Sequence, residues 1–509
     1  MKNNLNNSYL KVIAGYISEM YLPSISAMEI FEIASTLEQT SMQDIFEKIY
    51  IIYKNDIKVP KNDYLNMINK IYFYLADNNI SVFEEDLDNK KVLSLINNEI
   101  RQKDCYLFEK ITYPLFLFTK NLYFELIKNG AQKVYFFSRE GQFMKKIFEA
   151  FQEQMCGPKV KTEYLYVSRA STFLGTLNSI DKENFQALFN QYPKMSIKTF
   201  LQNLDFTDDE ITNLNKKIDL DFCLKIENIQ KSEALKKVKS DKTFVELYNT
   251  KRKNAKNSFI KYLSSFGEDY QKELYVVDVG WKGTIQNNLQ KILTKTKIHG
   301  YYLGLVHYDK IEDYEFKNSC LFEYSIENKT NNGILYNSNR SIFEVLLSAD
   351  HGSTKNYEIH NDKAVPVLNN QVKEQELYVE KIKPIQENIY EKFVKISEIL
   401  KYGYFDKMYV EKLMNKQFFK LMFKPSKAEV NEYNSFYHFE NFGVMNYSRF
   451  NTAKKVTLKQ KIKNYRHFRT FIQNDDSWQY LKLHNNKMVL GKIVLYFYKK
   501  ARFKKMGVI

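Results

Sequence analysis

Two short stretches of the chain combine side chains that can grip phosphate with glycines that let a backbone come close to one. The first is Ser138-Arg139-Glu140-Gly141, directly after the apolar run Lys133-Val134-Tyr135-Phe136-Phe137. A planar guanidinium matches two phosphate oxygens at once, so Arg139 suits a phosphate or pyrophosphate, with Ser138 offering a hydroxyl and Gly141 a backbone N–H. Glu140 can accept a sugar hydroxyl or help hold a divalent cation; the plainer alternative is an Arg–Glu pair at a helix start. The second stretch is Asp278-Val279-Gly280-Trp281-Lys282-Gly283-Thr284. Gly280 and Gly283 permit close backbone approach, Thr284 adds a hydroxyl in a first helical turn, and Lys282 adds a positive charge. Asp278 can hold ribose hydroxyls or a hydrated Mg²⁺. The plain alternative is a tight strand-to-helix turn with Asp278 as its N-cap. Arg169, after the run Tyr164-Leu165-Tyr166-Val167-Ser168, is a third candidate phosphate partner, although alone it would be an ordinary surface residue.

These residues need strands ending at one edge and helices starting there. The five residues 133–137, β-branched and aromatic, predict a buried strand, after a helix from Pro114 to Lys128 that stops at Asn129-Gly130. Met144, Ile147, Phe148 and Phe151 then lie at the spacing of one helix face. Residues 164–168 predict a second strand and residues 274–277 a third. Ile285, Leu289, Ile292 and Leu293 predict the next helix, and 301–306 a fourth strand. A strand-loop-helix unit that occurs twice suits a mostly parallel sheet wound with helices. The expected organisation is a helical region over 1–100 and an α/β core over 101–360 with a helical insertion at about 180–268. A helical region over 361–452, with a Ser426-x-x-Glu429 capping box, and a basic amphipathic tail over 453–509 complete it.

The charge is unevenly placed. Residues 453–509 hold 15 Lys or Arg against only Asp475 and Asp476, so 13 of the net 16 positive charges belong to the tail. Interleaved with Phe, Tyr, Trp478 and Leu, that charge predicts an interfacial helix on an anionic membrane leaflet. The alternatives are a nucleic-acid surface, for which no recognisable motif accompanies the charge, and a merely solvated basic helix. The four cysteines stand far apart with no ligand spacing, which argues against structural zinc or a disulfide framework. The first residues show no uninterrupted apolar stretch with a cleavage site, and residues 113–127 and 488–498 fall short of the roughly 20 apolar residues a bilayer needs. A cytoplasmic protein, peripheral at the inner face of the membrane, is the expectation.

Phosphatase chemistry finds no support. Asp219 and Asp221 have the two-residue spacing but sit in a polar stretch rather than at a buried strand end, and no G-x-S-x-G elbow is present.

The stretches VYFFSREGQF, YLYVSRAST, VVDVGWKGTIQ, GYYLGL and EVLLSADHGS, in this order, resemble a module of bacterial surface-polysaccharide (capsule or O-antigen) gene clusters. That module is often fused to, or encoded beside, haloacid-dehalogenase-type phosphatase domains. The resemblance covers roughly residues 105–360 and continues weakly to about 445. It implies a type I phosphoribosyltransferase-like core acting as a glycosyltransferase, with phosphoribosyl pyrophosphate or a related sugar phosphate as donor. A lipid-linked glycan would be the acceptor, Mg²⁺ the cofactor and a phosphatase a possible partner. It further implies that the 138–141 loop binds pyrophosphate and that 276–284 grips the ribose 5-phosphate, with Asp278, Arg139 and Glu140 catalytic and Asp278 on the metal. The sequence departs from the pattern at Val277-Asp278, where two adjacent acids are usual, and at Lys282, where Thr is common. These departures keep open a non-catalytic phosphate-binding scaffold of a glycan assembly complex.

Overall fold

The computed structural model describes residues 2–37, 41–78, 89–102, 106–307, 316–325, 331–337, 340–369, 372–401, 406–442, 444–449, 458–473 and 478–509. Cys105, Lys454, Asp475 and Asp476 lie outside the described residues. At the centre is an α/β core built on a five-stranded, all-parallel sheet: β1 (Lys133–Phe137), β2 (Lys161–Leu165), β3 (Glu273–Trp281), β4 (Lys297–His307) and β5 (Lys317–Ser325), in the order β2-β1-β3-β4-β5. Helices dominate the rest of the chain.

β1 shows why its residues make a central strand. Val134 and Phe136 point into one core, together with Phe116, Phe148 and Phe393, while Tyr135 and Phe137 point into another with Leu165, Phe259 and Leu289. Each of the four is at least 98% buried, and a side chain of that size contributes about 2 kcal/mol on leaving water. Period-two alternation with both faces apolar leaves only a continuous apolar run to read.

The first core joins the N-terminal helices, the helix Thr112–Lys128, the C-terminal helices and the last residues of the chain. The inserted region has a separate core, in which Phe185, Phe200, Phe244 and Tyr248 pack edge to face and stacked. The apolar residues from Phe173 to Tyr248 close on one another, whereas Phe259, Tyr262 and Leu263, inside the expected insertion, pack with the sheet.

Several boundaries differ from the expectations. β2 occupies 161–165 rather than 164–168, because Ser168 is the N-cap of the helix Arg169–Phe173, with a reciprocal bond to Ser171. β3 runs on to Trp281, four residues past the expected end, held in register with β4 through Gly280 and Gly304. The fifth strand has no counterpart among the expected ones; its half-buried Lys317, Asn318 and Ser319 mask the apolar signal of an edge strand. A hairpin, β6 (Thr354–His360) with β7 (Lys363–Leu368), crosses residue 360, and a second, β8 (Tyr437–Phe442) with β9 (Val444–Arg449), follows the Ser426 capping box.

Candidate functional site

In this sheet the chain leaves β1 toward β2 on one side and returns to β3 on the other. The connections after β1 and β3 therefore diverge, and a crevice opens at the carboxyl ends of the two adjacent strands. Both sequence-nominated loops lie on it. Each feeds a helix, Gly141–Gln154 and Thr284–Ile292, whose N-terminus carries no side-chain cap. Ser26, Ser41, Ser196, Thr207, Ser232, Asp241, Asp406 and Ser426 cap other helices with their own oxygens, while the helices Lys61–Asp77, Thr112–Lys128 and Val489–Lys505 also lack a side-chain cap. Uncapped first-turn N–H groups at a strand end are available to an anion.

Asp278 is buried in the last part of β3. Its carboxyl is pushed up to about 7, first by burial and then by the charge of Glu140, against the pull of the Val279 and Gly280 N–H groups and of Arg169. Charged residues from two other strand ends thus act on the Asp278 carboxyl in β3: Glu140 after β1 and Arg169 after β2. The N-cap alternative for Asp278 does not hold, since the turn into the helix is only Lys282-Gly283 and Gly283, at φ +63°, occupies the cap position. Lys282 and Thr284 are exposed at the crevice mouth. A Cβ on Gly280, at φ +116°, would run into the carbonyl oxygen of Gly304. The helix is held from beneath by Gln286, which accepts from the Tyr302 hydroxyl at 2.6 Å and donates to the Ile298 carbonyl at 2.9 Å.

The loop after β1 is tied to distant parts of the chain. The Ser138 hydroxyl donates to the Val167 carbonyl at 2.8 Å and accepts from the Val167 N–H at 3.0 Å, so it spans the sheet edge rather than facing the crevice. Arg139 is ion-paired with Glu374 of the helix Val372–Leu377, more than 200 residues away. Burial raises the Glu374 carboxyl, while Arg139 lowers it. Gly141 lets the helix start close to β1, since a Cβ there would press on the Phe136 backbone at 3.0 Å. The Ser138–Arg139 and Gly280–Trp281 peptides are both cis.

Residues that the sequence did not nominate complete the surroundings. His351 donates from Nδ1 to the Gly352 carbonyl at 2.8 Å, which leaves Nε2 to accept the Tyr164 hydroxyl at 2.8 Å. Its protonation is disfavoured chiefly by burial. Asp350 meets Gln142 at 2.8 Å. The segment around His351 is thereby folded against the 138–141 loop. Beside Arg169, a cavity of about 450 Å³ lies between the helix Arg169–Phe173, the insertion and β6. Its walls carry Ser171, Gln202, Asn203, Asn254 and Asn356 around Phe173. Asp350 and His351 lie in the stretch EVLLSADHGS, which the sequence analysis quotes without a role for either; Glu374 and the cavity had no local signal.

Among the described residues no three His, Cys, Asp or Glu side chains converge on a point where a metal could sit. Mg²⁺ commonly binds through one or two carboxylates and the phosphates of its substrate, and Asp278 and Glu140 fit that mode rather than a protein-only cage. No protein-family model and no curated protein matches the chain.

Proposed function

We propose that the chain is a glycosyltransferase-like enzyme of bacterial cell-surface polysaccharide synthesis with a type I phosphoribosyltransferase-like site. It transfers a ribosyl or phosphoribosyl group from phosphoribosyl pyrophosphate, or a related sugar phosphate, to a glycan hydroxyl. The observation that carries this reading is the meeting of Asp278, Glu140 and Arg169 at the crevice where the strand order reverses, between two helix N-termini without side-chain caps.

In this reading the N-terminus of the helix Thr284–Ile292, with Thr284 and Lys282, takes the sugar phosphate, and Asp278 meets the ribose hydroxyls. Arg139 and the N-terminus of the helix Gly141–Gln154 take the pyrophosphate, whose charge displaces the carboxylate of Glu374. Mg²⁺, when bound, supplies neutralisation of the pyrophosphate charge; Glu140 would hold it together with phosphate oxygens, and Asp278 can join in its ionised form. As the bond from C1 to the pyrophosphate oxygen breaks, its electron pair leaves with pyrophosphate, and the acceptor oxygen bonds to C1. Asp278, with its carboxyl near 7, has the proton affinity to take the acceptor's hydroxyl proton near neutral pH. The amide-rich cavity beside Arg169 offers room and hydrogen-bonding groups for a polyhydroxylated acceptor, and its size falls within the roughly 300 to 1,000 Å³ usual for ligand pockets.

Calorimetry with phosphoribosyl pyrophosphate and Mg²⁺ should show saturable binding. Asp278→Asn should cut transfer of labelled ribosyl groups by about 100-fold or more with the circular dichroism unchanged. Undiminished transfer in that variant would remove Asp278 from its role. The pairing of Arg139 with Glu374 favours a second reading, a phosphate-binding scaffold without turnover. Binding with no transfer, or no binding at millimolar donor, would decide for it or against both.

A further inference from the structure

The last helix, Val489–Lys505, is apolar on two sides, and only one is covered. Gly491, Leu495 and Phe503 lie on the covered side, where Phe503 meets Phe419 and Phe423 with ring centroids 6.0 and 6.4 Å apart. The segment before it is anchored by Trp478, fully buried, which donates its indole N–H to the Met422 carbonyl at 2.7 Å. The helix is therefore fixed to the body of the protein rather than hanging from it. On the outer side Val489, Leu490, Ile493, Val494, Phe497 and Tyr498 are each 50% to 68% exposed. Their spacing places them on one arc over about 15 Å of helix. Lys504 and Lys505 follow on the same arc, both exposed. An earlier helix, Leu458–Arg466, is joined to this one by the Gly491 N–H donating to the Tyr465 hydroxyl at 3.4 Å, and adds exposed Lys463 and Arg466.

Apolar helix faces are ordinarily enclosed, and six large apolar side chains together on a water-facing arc call for a cover. We infer that this outer face docks on an anionic lipid surface, with Val489 to Tyr498 entering the interfacial layer and the surrounding lysines and arginines lying against acidic headgroups. Charge selects this occupant. A two-fold contact with a second copy would set the strongly basic segment 453–509, with 15 basic residues to two acidic, against itself. Nucleic acid would answer the charge, but four of the six outer-face side chains, Val489, Leu490, Ile493 and Val494, are aliphatic and give its bases no ring to stack on. A bilayer offers an apolar layer directly beneath negative charge, which is the combination this face presents in complement. Among the described residues no helix is long and apolar enough to cross a membrane, so the contact is with one leaflet. This inference is independent of the chemistry proposed for the sheet crevice.

The test is flotation of the full chain with vesicles of equal parts phosphatidylglycerol and phosphatidylcholine, compared with phosphatidylcholine alone. The parent protein should float with the anionic vesicles at low salt, with about tenfold or more weaker binding to neutral ones and at high salt. Leu490→Ser/Ile493→Ser/Phe497→Ser alters only exposed positions and should weaken flotation about tenfold or more with unchanged thermal unfolding. Lys504→Glu/Lys505→Glu should weaken it too while leaving the apolar face intact. Failure of the parent to float, or equal flotation of the serine variant, overturns the inference. So does an apolar-face-dependent dimer in analytical ultracentrifugation without vesicle binding, which would make a second copy the occupant.

Discussion

The connections after β1 and β3 begin from the same geometry and are finished in opposite ways. Both leave parallel strands at the switch point, and both enter helices without side-chain caps. The one after β3 is made mostly from its own neighbourhood: Asp278 takes the N–H groups of Val279 and Gly280, Gly283 makes the turn, and Lys282 and Thr284 stay exposed, although the Trp281 indole N–H donates to Glu344 at 2.7 Å. The one after β1 is made by the rest of the chain: Val167 holds Ser138, Glu374 holds Arg139 and Asp350 holds Gln142. A locally determined loop can stand open and ready for a ligand. A loop determined from afar is ordered by contacts that a ligand must displace or join.

If that contrast is right, the β3 connection is the more sensitive to changes in its own backbone. Gly280→Ala should be the most damaging single substitution, because φ +116° is unfavourable for alanine and the new Cβ meets the backbone oxygen of Gly304, which cannot swing aside. A loss of about 3 kcal/mol or more in denaturant unfolding is expected. A loss below about 1 kcal/mol would mean that the strand end is pliable and the contrast false.

Asp278 gives the next largest effect. Its folded-state carboxyl, at about 7, lies above its ordinary value, so the folded protein binds the proton more tightly than the unfolded chain. The stability associated with the protonated group is present at acid pH and is lost as pH rises toward 7 and beyond. Asp278→Asn cannot lose a proton. In the ligand-free protein its stability relative to the parent should rise by about 2 to 3 kcal/mol between pH 5 and pH 8. A pH-independent difference in thermal unfolding would show that Asp278 is ionised in the empty site.

The same contrast explains what could be read from the sequence. β1, the helix faces after both loops and the Ser426 capping box are set by local pattern, and each stands where the residues place it. The two crevice loops were legible because Gly, Asp, Arg and Thr cluster next to apolar strands. The end of β3 was misplaced because Asp278 and Gly280 look like turn residues; inside the sheet, burial and the pairing of Gly280 with Gly304 override that preference. The electrostatic approach of Glu140 to Asp278 supplies a second carboxylate near the site, although Val277 stands where an adjacent acid was expected. No spacing in the chain could reveal it, since it depends on β1 and β3 being neighbours. Glu374 is in the same position, brought in by a segment that carries no chemical motif of its own, while His351 lies in the quoted stretch EVLLSADHGS, whose place against the 138–141 loop no spacing reveals.

Glu374 provides the finest test of the comparison. Its buried carboxylate occupies the guanidinium that a pyrophosphate would need, so an incoming anion must compete with a charge already in place. Glu374→Gln keeps the side chain's shape and a carbonyl that can accept from Arg139, but removes the competing charge and the cost of burying it. Calorimetry with inorganic pyrophosphate should then show affinity about five- to tenfold tighter than in the parent, a gain of roughly 1 to 1.4 kcal/mol. Phosphate binding at the exposed β3 connection, measured with ribose 5-phosphate, should change less than about twofold. Equal tightening of both ligands would mean that Glu374 acts through the general field of the crevice. Weaker pyrophosphate binding would mean that the carboxylate positions Arg139 for its ligand instead of competing for it, and the loop after β1 would then be as prepared for its ligand as the loop after β3.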